Sequence, residues 1–103
     1  MAKVIVDGGS CRFKTVIEII NHESNICSVI LQSECPNFTG MDQELKEIDP
    51  FKECFSKIGA GQVYEVARKY CKHPGCIVPS GIIKAIEVAC GLALPQTAEI
   101  RFE

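Results

Sequence analysis

The sequence predicts an α+β fold: a small, largely antiparallel sheet with four short helices packed on one face. Three observations predict it. Two alternating runs, 13–20 and 26–33, flank the polar stretch from Asn21 to Asn25, which reads as a hairpin connection. Helical spacing then takes over until Gly91. A last alternating run follows the helices, so regular βαβ alternation is absent and the sheet is built from the N-terminal hairpin strands plus a C-terminal strand.

Each element has its own signal. Val4 to Val6 is a short apolar run ending in the turn Asp7-Gly8-Gly9-Ser10, and Cys11 follows that turn. Phe13, Thr15, Ile17 and Ile19 alternate with Lys14, Val16, Glu18 and Ile20 as a strand. In the strand from Ile26 to Ser33, Cys27, Val29 and Leu31 share one face. Cys35-Pro36-Asn37 stops it, because proline has no N–H for a ladder.

Thr39 and Asp42 have capping-box spacing ahead of a helix with Met41, Leu45 and Ile48 on one face. Asp49-Pro50 suits the N-cap and first position of the next helix, whose apolar stripe is Phe51, Cys54, Phe55 and Ile58. Gly59-Ala60-Gly61 is a turn. Val63, Val66, Ala67 and Tyr70 mark a third helix, with Glu65 and Lys69 paired on its wet side. Ser80 can cap a fourth helix that buries Ile82, Ile83, Ile86, Ala89 and Cys90, and Gly91 can end it. Ala98 to Phe102 is the final strand. Glu44, Glu47, Glu53 and Glu87 fall on faces read as solvated.

Residues 1–103 suit one domain with a modest core. A net charge of −2 without Lys/Arg clusters excludes a nucleic-acid footprint. No apolar run reaches the roughly 18 residues of a membrane span. The N-terminal stretch lacks a long apolar signal region, so a cytoplasmic protein is expected.

Seven cysteines are many for this length. The odd number, the absent signal region and the patterned apolar segments argue against a secreted disulfide scaffold. Cys27, Cys54 and Cys90 lie on apolar faces and are read as core residues. Cys11, Cys35, Cys71 and Cys76 sit instead at element boundaries, where scaffolds hold ligands. Four thiolates complete a tetrahedral zinc site or the ligand set of an iron–sulfur cluster. Cys71 and Cys76 are close in sequence. Cys11 and Cys35 converge only if the start of one hairpin strand lies opposite the end of the other. Cys71 also continues the stripe of Val63, Ala67 and Tyr70, and His73 is a reserve ligand. His22 lies in a polar turn and reads as surface.

The same residues support a second chemistry. Cys35 and Cys76 each precede a predicted helix N-terminus, where the helix dipole stabilises a thiolate. Cys76-Ile77-Val78-Pro79 resembles the Cys-Pro-x-Pro sequence of small α+β sulfur carriers, with Ile77 in place of the first proline and a helix rather than a strand before Cys76. A third class is a structural or interaction protein whose cysteines do no chemistry. No substrate, reaction, protein partner or oligomeric state is legible.

The segments Val4 to Phe13, Ser33 to Asn37, Tyr70 to His73 and Cys76 to Pro95 together resemble a small uncharacterised protein family of methanogenic archaea and anaerobic bacteria. The resemblance implies that the four boundary cysteines belong to the family pattern. It further implies that Cys27, Cys54 and Cys90 occupy positions where other apolar or small residues are usual. It implies an anaerobic cytoplasm, in which reduced thiols and iron–sulfur clusters persist, and it carries no function.

Overall fold

The computed structural model describes residues 2–103. Three strands, β1 (Ala2–Asp7), β2 (Lys14–His22) and β3 (Ile26–Ser33), form an open antiparallel sheet in that order. Alternation in β2 buries Thr15, Ile17 and Ile19, while β3 buries Cys27 and Val29 on the same inner face. Their register runs from Thr15 opposite Ser33 to His22 opposite Ile26. The hairpin closes through a turn in which Ser24 and Asn25 take left-handed φ values of 67° and 57°.

Helices α1 (Pro50–Phe55), α2 (Gln62–Tyr70) and α3 (Val78–Ala89) follow, so the α+β class holds. The first expected helix is only a 3-10 turn, Met41–Glu44. Met41, Leu45 and Ile48 are nevertheless fully buried. The reason for the short turn is edge pairing. Leu45 O accepts from Val29 N at 2.9 Å, and Ile48 exchanges two 2.9 Å backbone bonds with Cys27. A chain that covers the outer edge of β3 in this way cannot also remain helical.

Helix α3 lies across β1 and β2 and buries Val78, Pro79, Ile82, Ala85 and Ile86. It starts two residues before Ser80, with Pro79 in its first turn, where a missing N–H is harmless. The approach to the sheet is close at Gly81, where a Cβ would stand 2.5 Å from Val6 Cγ2.

Helix α1 corrects the sequence reading. Asp49 caps it as expected, accepting from Phe51 N at 3.0 Å. Its buried side chains, however, are Pro50 and Glu53; Phe51 and Phe55 stack on each other in solvent, and Ile58 is 98% exposed. Glu53 turns inward because α2 begins at Gly61, which has no capping side chain. The Glu53 carboxylate accepts from Gln62 N at 2.6 Å and Val63 N at 2.8 Å, supplying that cap from a neighbouring helix. Glu44 is likewise engaged, accepting from the Lys69 ammonium and the Tyr70 hydroxyl. The expected strand at Ala98 to Phe102 is absent. Residues 94–103 carry no regular structure, and Leu94, Ile100 and Phe102 are exposed. Among the described residues no helix is long and apolar enough to cross a membrane.

Glu53→Ala leaves two amides unsatisfied and should lower urea-unfolding stability by about 2–3 kcal/mol. Gly81→Ala forces α3 away from β1 and should cost about 1–3 kcal/mol. A loss below about 0.5 kcal/mol in either variant, the range of an ordinary surface substitution, contradicts these roles.

Candidate functional site

The open end of the β2–β3 hairpin is held by side chains as well as by the ladder. Thr15 Oγ1 and Ser33 Oγ are 2.7 Å apart, and Ser33 Oγ also accepts from Cys35 N at 3.0 Å. Lys14 N donates to Glu34 Oε1 at 2.7 Å, and Glu34 N returns a 3.0 Å bond to Lys14 O. These bonds fix Cys35 beside the start of β2, on the same side as the turn that carries Cys11.

That turn, Gly9–Cys11, is a short 3-10 segment closed by Gly8 N to Phe13 O at 3.0 Å. Gly9 and Arg12 both adopt left-handed φ, which folds the turn tightly. A Cβ on Gly8 would overlap Cys11 Sγ, so the thiol is turned back over the glycine.

Cys71 is the C-cap of α2, with its N–H bonded to Ala67 O at 2.8 Å. The loop then turns back, and Cys76 N donates to His73 O at 3.3 Å. Cys76 stands immediately before Ile77, the N-cap of α3. Cys11, Cys35, Cys71 and Cys76 all line one cavity of about 90 Å³. Phe38 and Val78 contribute its buried apolar wall, while Lys72 and His73 stand at its exposed side.

The thiols sense one another. Burial pushes the Cys71 thiol up to about 12; neighbouring Cys76 and Cys35 add to the shift. Cys71 thus packs against the core and faces the cavity, uniting its two sequence readings. His73 lines the same cavity, whereas His22 is exposed and paired with Ser28 Oγ at 2.7 Å. The four sulfurs are a soft donor set suited to a thiophilic metal. Among the described residues, however, no three His, Cys, Asp or Glu side chains stand gathered as a metal-ligand set. The backbone brings the four thiols to one cavity without closing them around a centre.

The chain belongs to DUF6951, a family of unknown function. The family model matches residues 2–102, which includes every residue of the cavity. No curated protein and no solved structure matches the chain.

A second thiol group emerges from the fold. The sequence treats Cys27, Cys54 and Cys90 as three separate core residues, and all three do pack in or against the core. They are also neighbours. Cys90, and then Cys54, acts on the Cys27 thiol and favours its neutral form. Burial, then Cys90, pushes Cys27 up to about 12; burial, then Glu87, pushes Cys54 up to about 11. Three elements far apart in sequence contribute one sulfur each, so no spacing rule could have grouped them.

The Cys71 shift has a defined sign. Its folded-state value lies above the ordinary 9.0, so the neutral thiol is favoured and ionises only as pH rises toward about 12. In metal-free folded protein, the pH profile of Cys71 alkylation should therefore have its midpoint well above 9, moving back toward 9 in urea. A folded-state midpoint at or below 9 contradicts this environment.

Proposed function

We propose that this protein binds a metal centre, a zinc ion or an iron–sulfur cluster, through Cys11, Cys35, Cys71 and Cys76. The observation that carries the reading is the convergence of these four cysteines, from four separate boundaries, on one small cavity. No carboxylate shares that lining, which favours a soft centre over calcium or magnesium. Ligation requires the thiols to rotate inward until the sulfurs lie within about 4 Å of each other, given Zn–S bonds of about 2.3 Å. Cys11 has room to do so, because it is exposed and sits on a short turn.

Thiolate ligation releases protons, and burial holds the proton on Cys71. Metal affinity should therefore fall as pH falls. Lys72 beside the cavity offsets part of the charge that the thiolates would bring. Such a centre would supply electron transfer if iron–sulfur, or structural closure and metal handling if zinc. An anaerobic cytoplasm would keep the thiols reduced and suits either form.

A second reading is a thiol-dependent sulfur carrier or redox protein acting through Cys76 or Cys35. It is favoured by the place of Cys76 directly before the N-cap of α3. It predicts a single thiol that alkylates far faster than the rest at neutral pH; uniform slow labelling removes it.

Metal analysis of anaerobically purified protein tests the main reading. Near-stoichiometric zinc or iron is expected, and replacing any of Cys11, Cys35, Cys71 or Cys76 by Ser should lower it while Cys54→Ser leaves it unchanged. Less than about 0.1 equivalent, both as purified and after anaerobic reconstitution with zinc or with iron and sulfide, contradicts it.

A further inference from the structure

The second thiol group carries chemistry of its own. Cys27 lies opposite Asn21 in the β2–β3 register, and Asn21 Nδ2 donates to Ala89 O at 2.9 Å. That bond draws the C-terminal end of α3 onto the strand pair, and Cys90 is the next residue. Both backbones are held. Cys27 exchanges its two bonds with Ile48, while Cys90 N donates to Ile86 O at 3.0 Å just before Gly91 ends the helix. The main chain therefore holds the two residues side by side, with the Cys90 thiol near enough to act on that of Cys27. Cys54, on α1, acts on Cys27 more weakly than Cys90 does.

The surroundings choose between the reactions open to neighbouring thiols. Cys27 is 1% exposed among apolar side chains, and Glu53 and Glu87 bring negative charge nearby. A metal held by several thiolates would place further negative charge there, at a high desolvation cost. A disulfide is neutral and apolar, and the site can bury it. We propose that Cys27 and Cys90 are a reversible dithiol–disulfide couple that exchanges with low-molecular-weight disulfides, a site separate from the four-cysteine cavity.

The roles follow from exposure. Cys90 is partly exposed and Cys27 is buried, so Cys90 is the sulfur that meets the external disulfide first and attacks it. Its thiolate breaks the S–S bond of the external disulfide, forms a mixed disulfide on Cys90 and expels one thiolate. Cys27 then attacks the Cys90 sulfur, closes the protein disulfide and expels the second thiolate. The two protons lost by Cys27 and Cys90 go to the two released thiols, and the external disulfide is the two-electron oxidant.

The full-length protein, incubated anaerobically with oxidised glutathione, provides the test. After digestion with trypsin and a glutamate-specific protease, residues 24–34 should be found joined to residues 88–99, with a mass loss of about 2 Da that dithiothreitol reverses. The link should form without denaturant and persist in Cys54→Ser. Cys27→Ser or Cys27→Ala should trap glutathione on Cys90, whereas Cys90→Ser should leave Cys27 unmodified. The proposal is overturned if the two segments stay unlinked in the wild-type protein, if they link only after unfolding, or if glutathione lodges on Cys27 in the Cys90 variant. Metal content is read separately, so a failed couple leaves the four-cysteine centre standing, and the converse holds.

Discussion

The register between β2 and β3 is the constraint on which the other features depend. At one end it sets Thr15 against Ser33, so the segments carrying Cys11 and Cys35 emerge side by side. At the other end it sets Asn21 against Cys27 and lets Asn21 hold the end of α3. A slip of β3 by one residue would turn Cys27 and Val29 out of the core and undo both thiol groups together. The buried face of the sheet makes such a slip prohibitive, because each of those side chains is at most 2% exposed.

Helix α3 completes both groups. Its buried face of Val78, Ile82, Ala85 and Ile86 fixes it on the sheet, and the absence of a side chain at Gly81 allows close approach. Cys76 stands just before its first turn and Cys90 just after its last. Twelve helical residues span about 18 Å, so one rigid rod carries a cysteine group at each end. The groups differ in setting. The four-cysteine cavity opens to solvent beside Lys72 and His73, while the three-cysteine group lies against the core near two glutamates.

Sequence periodicity captured what depends on local pattern. The hairpin, its inner face, the Asp49 cap and the α2 and α3 stripes all carry their signal within a few residues. The boundary position of Cys11, Cys35, Cys71 and Cys76 was also legible, and hairpin geometry joined two of them. Long-range demands were not. Glu53 reads as solvated because its partners, the amides of Gln62 and Val63, belong to another helix. Leu45 and Ile48 leave the expected helix to cover β3, and Ala98 to Phe102 alternate without pairing to any strand. Cys27, Cys54 and Cys90 meet only in three dimensions.

The central claim, that four boundary cysteines form one metal centre, is tested most directly by X-ray absorption at the metal edge of the loaded protein. The account predicts a first shell of sulfur alone, four scatterers at about 2.3 Å for zinc. A shell dominated by nitrogen and oxygen would contradict it, because the cavity lining offers four thiols against a single imidazole, His73, and no carboxylate.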